Sequence, residues 1–178
     1  MSDVRIDGKR RIDQVLGAGF TDGLDALDTD EVRRRRDLAR AELEYLSLLR
    51  RLVQGRRDIL RAEPERRAGG GDTGSLVDRL AGILSEGTRG SSRGGAPTVA
   101  VPEEEIALAR RRVERLVSDA SLSDLESLSD QDLRGAVDRL DEEERGVSDL
   151  RARVIEVHDA LQEEMKRRLR AEMGNPAS

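Results

Sequence analysis

Hydroxyl, arginine and carboxylate side chains recur in the same order at two places in this chain. Ser47, Arg50, Gln54 and Asp58 stand in SLLRRLVQGRRD, and Ser148, Arg151, Ile155 and Asp159 stand in SDLRARVIEVHD. An arginine donates through a planar fork that suits a phosphate or the O6/N7 edge of guanine. An aspartate accepts two bonds, which complements the N1–H and N2–H edge of guanine, while Ser and Gln adapt to either kind of partner. On a helix turning about 100° per residue, Ser47, Arg50, Gln54 and Asp58 fall within an arc of roughly 80° and make a polar stripe about 16 Å long. Leu38, Leu46, Leu49, Val53 and Leu60 face the other way. In the second copy Ser148, Arg151 and Asp159 oppose Val147, Leu150, Val154, Val157 and Leu161. Most charged helix faces are solvated ion-pairing surface, and for either copy alone that reading is the simpler one. The repetition weighs against it.

The offset between the copies is 101 residues, and it extends past the polar positions. Leu27 falls on Leu128, Val32 on Leu133, Asp37 on Asp138, Leu46 on Val147, Leu49 on Leu150, Val53 on Val154 and Leu60 on Leu161. Similarity at a fixed offset points to a duplicated helix. Both copies also begin alike. Asp28 as N-cap places Glu31 at the third helical position, with Leu27 and Val32 at the staple positions. Ser129, Asp132, Leu128 and Leu133 repeat that grammar. The first helix is expected over 28–63, stopped by Pro64. The second is expected over 129–173, stopped by Gly174 and Pro176. Gly55 lies inside the first and weakens it by about 1 kcal/mol relative to Ala.

Composition favours long thin helices over a thick core. Charged residues make up 39% of the 178 residues, against about 25% in ordinary globular chains. Hydrophobic residues make up 36%, with one Phe, one Tyr and no Trp. Leu and Val inside, with Arg and Glu outside, suit helix-on-helix seams. The net charge of −5 argues against general affinity for nucleic acid. The absence of cysteine removes disulfides and thiolate metal sites and fits a cytoplasmic protein. No apolar run approaches the roughly 20 residues a membrane span requires. Catalysis is not expected: His158 is the single histidine, no Gly-rich phosphate loop follows a strand, and the carboxylates lie on helix faces without an evident cleft.

The remaining segments frame the helix pair. Residues 1–27 form an N-terminal arm in which Ile12, Val15, Leu16, Phe20 and Leu24 could make a short amphipathic helix, weakened by Gly17, Gly19 and Gly23. It reads either as a partly ordered arm or as a segment docking on a partner or on the helix pair. Residues 64–101 read as flexible linker, with RRAGGGDTG and TRGSSRGGAP flanking a short helix over 75–86. That helix serves either for recognition or for packing. An accessory helix over 102–128 starts at Pro102, followed by Glu103, Glu104 and Glu105, which suit the positive helix end.

With these residues in place, the chain resembles the cyclic di-GMP-dependent anti-sigma factors of actinobacteria (RsiG type), which sequester a WhiG-type sigma factor. That family carries Glu-x3-Ser-x2-Arg-x3-Gln-x3-Asp on two helices of an antiparallel coiled coil. The match is best over EVRRRRDLARAELEYLSLLRRLVQGRRDIL, and the early RIDQVL segment also fits. The resemblance implies an all-α fold: a long antiparallel coiled-coil hairpin with shorter accessory helices. It implies ligand contacts from Glu44, Ser47, Arg50, Gln54 and Asp58 on the first helix and from Glu144, Ser148, Arg151 and Asp159 on the second. Glu44 is one residue closer to the serine than the pattern asks, the patterned position being Leu43, and Ile155 replaces the second glutamine. The ligand implied is a cyclic di-GMP dimer, the partner a WhiG-type sigma factor kept from RNA polymerase core. No other cofactor, direct DNA contact or membrane is implied. A ligand-independent coiled-coil adaptor is the competing reading.

Overall fold

A computed structural model describes residues 10–68, 101–117 and 127–174. The described residues are helical, without strands. A short helix α1 (Arg11–Val15) and a 3-10 turn (Leu24–Ala26) lead into the long helix α2 (Thr29–Ala68). Helix α3 (Glu103–Leu116) and the long helix α4 (Asp130–Gly174) follow. The short helix expected over 75–86 lies outside the described residues.

Both long helices begin where their caps dictate. The Glu31 amide donates to Asp28 Oδ1 at 2.7 Å. The Asp132 amide donates to Ser129 Oγ at 3.1 Å, and the Ser129 hydroxyl donates back to Asp132 Oδ2 at 2.6 Å. Each cap satisfies an amide that the helix start would otherwise leave unpaired.

Burial follows a strict seven-residue repeat, the coiled-coil pattern. On α2 it runs Val32, Ala39, Leu46, Val53 and Leu60, and on α4 Leu133, Leu140, Val147, Val154 and Leu161, each at most 1% exposed. The two sets are related by the 101-residue offset read from the sequence. Leu49 is buried as well, while Leu38, Leu150 and Val157 are half-buried at the seam's margins.

The chain divides into two units, and both long helices pass through the division. The first unit comprises Met1–Ser47 and Ser148–Ser178. Here α2 and α4 run antiparallel, since Arg168 donates to Thr29 Oγ1 at 3.1 Å while Arg151 donates to Ser47 Oγ at 3.0 Å. The N-terminal arm docks on this pair, which decides between its two readings for residues 10–27. Val15 is fully buried, and Arg11 pairs with the buried Glu42 while lying 6.0 Å from the centre of the Tyr45 ring. Arg35 donates to the Phe20 carbonyl at 2.7 Å and lies 5.5 Å from the centre of that residue's ring. Arg168 donates to the carbonyls of Leu24 and Leu27 at 2.6 and 2.8 Å. The arm's helix ends at Val15. Gly19 and Gly23 then take positive φ values of 86° and 59°, the left-handed region where a Cβ is costly.

The second unit, Leu48–Val147, packs three helices. The long pair is again antiparallel, with Arg50 reaching Glu144 and Arg67 reaching Asp130. Helix α3 buries Ala109 and Val113 and is tied down by Arg112 to Glu143 at 2.6 Å and by Arg139 to the Leu116 carbonyl at 2.9 Å. It stops at Leu116, and residues 118–126 lie outside the described residues.

The expected stop at Pro64 is corrected: α2 continues through it to Ala68. A helix-interior proline costs about 3 kcal/mol, and the surroundings offset this. The carboxylate of Glu63, almost fully buried, accepts from Arg66 at 2.8 Å and from Arg67 at 3.0 Å. Arg67 also donates to the Leu128 carbonyl at 2.8 Å, which holds the last turn of α2 against the start of α4.

Candidate functional site

The polar stripes are positioned by the seam. Because Leu46, Leu49 and Val53 must point inward, Ser47, Arg50 and Gln54 lie at its edge, half-buried. Val147 and Val154 do the same for Ser148 and Arg151 on α4.

In the second unit, Glu144 Oε1 collects two donors from the facing helix. Arg50 donates Nε to it at 2.8 Å, and Gln54 donates its amide nitrogen Nε2 at 3.0 Å. The Arg50 side chain keeps 41% of its exposure while Glu144 keeps 18%. In the first unit, Arg151 donates Nε to Ser47 Oγ at 3.0 Å. In both places an arginine of one series is held through Nε by a residue of the other series. Neither arginine makes a hydrogen bond through its Nη nitrogens among the described residues. Such an arginine retains the end-on pair of donors that grips a phosphate or a guanine edge.

The other expected site residues stand apart from these contacts. Asp58 is exposed and accepts from Arg57 Nε at 3.3 Å. Asp159 is exposed and lies 3.4 Å from His158 Nδ1. Neither accepts a hydrogen bond from Arg50 or Arg151 among the described residues. Glu44 is half-buried and makes no hydrogen bond among the described residues, and Ser148 is half-buried on α4. Ile155 is half-buried and offers no polar atom, so the amide that Gln54 brings beside Arg50 has no equivalent on α4.

Several charged contacts escaped the sequence reading. Arg57 and Arg61 both reach Asp141 from across the pair, with Arg57 at 3.3 Å. Their i, i+4 spacing on α2 was visible, but no local signal names Asp141 as the shared acceptor. Burial disfavours the charge on Arg56, while Glu114 on α3 counters this. A shallow groove of about 600 Å³ runs along α4, lined by Asp138, Arg139, Asp141, Glu142, Glu144 and Arg145. Four carboxylates against two arginines make it a poor seat for a phosphate.

Fold and contacts together define an all-helical protein in which, within each unit, a residue of one polar series holds the arginine of the other. Residues 18–84 match the model of the RsiG-like family. That segment contains the first series, Ser47 to Asp58, and the second series lies beyond it. No curated protein matches the chain. Among the described residues, no helix is long and apolar enough to cross a membrane.

Proposed function

We propose that this protein is an anti-sigma factor of the RsiG type that binds cyclic di-GMP on its two polar series and, when loaded, sequesters a WhiG-type sigma factor from RNA polymerase. Arg50 and Arg151 contact phosphate or guanine, and Asp58 and Asp159 accept from guanine edges. Glu44, Ser47, Gln54, Glu144 and Ser148 complete the site. The mechanism is a population shift, in which the ligand binds the sigma-competent form better than the alternatives. The observation that carries this reading is the condition of the two arginines, each held at Nε and open at its Nη nitrogens. The RsiG-like match over residues 18–84 supports a sigma factor as the partner.

Calorimetry with cyclic di-GMP tests the ligand. Arg50→Ala or Asp159→Ala abolishes binding while circular dichroism shows unchanged helicity; undiminished binding in both variants would falsify the site. Co-purification of the sigma factor with and without the dinucleotide tests the partner. One observation favours a ligand-independent adaptor instead, namely that Arg50 already has a carboxylate partner within the chain. Equilibrium dialysis separates the two, because an adaptor retains no guanine dinucleotide at micromolar concentration.

A further inference from the structure

We infer that α1 and α3 are equivalent locking helices, each closing its own unit by delivering an arginine to a glutamate that stands at an interior position of the coiled-coil seam. The lock lies outside the two polar series.

The 101-residue offset reaches further back than the long helices. Arg11, Ile12, Val15 and Leu16 fall on Arg112, Val113, Leu116 and Val117. The contacts repeat along with the residue types. Arg11 pairs through Nε with Glu42, and Arg112 pairs through Nε with Glu143. Both pairs span 31 residues. The far ends of the long helices correspond too. Arg67, held by Glu63, donates to the Leu128 carbonyl, and Arg168, held by Glu164, donates to the Leu27 carbonyl, at 2.8 Å in each case. The duplicated element is therefore a short helix together with a long one.

Glu42 and Glu143 occupy a costly place. Glu42 stands between Ala39 and Leu46, and Glu143 between Leu140 and Val147, each at the second apolar position of its heptad. One heptad further on, Leu49 and Leu150 fill that position. Glu42 is 4% exposed, and the Glu143 side chain keeps 18% of its exposure. A carboxylate at such a place weakens a two-helix seam unless a counter-charge meets it. An arginine of the short helix brings that charge. Val15 in the first unit, and Val113 and Val117 in the second, bury apolar surface beside it. A polar residue in a seam fixes which helices associate at some cost in stability. Here it makes closure of the long pair conditional on a third helix.

Amide hydrogen exchange of the full chain, read by mass spectrometry, tests the lock from both sides of each pair. Arg11→Met speeds exchange by about tenfold or more in residues 10–27 and also in residues 39–46 of α2, because the carboxylate left behind loosens the seam. Glu42→Leu removes the charge instead. It speeds exchange in residues 10–27 but leaves 39–46 at least as protected as in the unmodified chain, since a leucine suits that heptad position. Once Glu42→Leu is present, adding Arg11→Met changes exchange in 39–46 by less than about twofold. Arg112→Met and Glu143→Leu repeat the pattern at residues 103–116 and 140–147. Faster exchange confined to the short helices in Arg11→Met and Arg112→Met would reduce the pairs to surface tethers and overturn the inference. Lost protection at 39–46 in Glu42→Leu would overturn it too. Should Arg11→Met fail to fold, the double variant with Glu42→Leu decides: recovery of a cooperative melt supports the lock, and no recovery overturns it.

Discussion

Leu49 and Leu169 show how differently one residue type counts along this chain. Leu49 is fully buried on α2, and Leu169 on α4 is 56% exposed. Leu49→Ala is expected to cost about 2–5 kcal/mol, the transfer term plus the cavity left behind. Leu169→Ala should stay within about 0.5 kcal/mol, since it removes little buried surface. Urea unfolding of the two variants checks the contrast, and equal losses would place the core elsewhere. The same distinction was readable in the sequence at Leu46, Leu49, Val53 and Leu60, because a buried stripe leaves a period. It was not readable for the acceptors of Arg50 and Arg151. Glu144 and Ser47 lie 94 and 104 residues away from them in sequence, and only the register of one helix against the other brings them within hydrogen-bond reach.

Helix ends were legible where the signal is local and were missed where it is not. Asp28 and Ser129 cap α2 and α4 as their neighbours Glu31 and Asp132 suggest. Pro64 is a local stop signal that the structure overrides through Glu63, Arg66 and Arg67. Arg168 illustrates a tie between elements that no local pattern announces. Its guanidinium holds Glu164 on its own helix, Thr29 at the start of α2, and the carbonyls of Leu24 and Leu27 in the entering turn. Arg168→Met keeps the apolar stem and removes all four contacts. Faster amide exchange is expected in residues 24–31, while Leu46 and Val154 keep their protection, because only the entry turn loses its anchor. Uniformly faster exchange would show that the contact instead holds the whole first unit.

For the whole molecule, acid is the informative variable. Arg34 and Arg35 lower the Glu31 carboxyl to about 2, and Arg167 and Arg168 lower that of Glu164 to about 2. Glu63 is shifted downward by Arg66 first, and Glu163 by Lys166 first. A carboxyl whose pKa is lower in the folded chain adds stability above its ordinary value of 4.5. That contribution fades as pH falls toward the folded value. The melting temperature is thus expected to be flat from neutral pH to about 5 and to fall between about 4.5 and about 2. Glu164→Gln should shrink the fall modestly, because one of its two partners, Arg167, is largely exposed and such pairs contribute little. Melts followed by circular dichroism across that range decide it, and a fall centred near neutrality would point to other groups.

The all-helical class, the duplicated helices, their capped starts and the apolar seam follow from the sequence itself, because each depends on spacing within one helix. The antiparallel pairing, the docking of residues 10–27, the passage of α2 through Pro64 and the partner of each series arginine were decided by tertiary structure. Those features depend on which side chains meet across a seam, and seam register is a property of the packed pair.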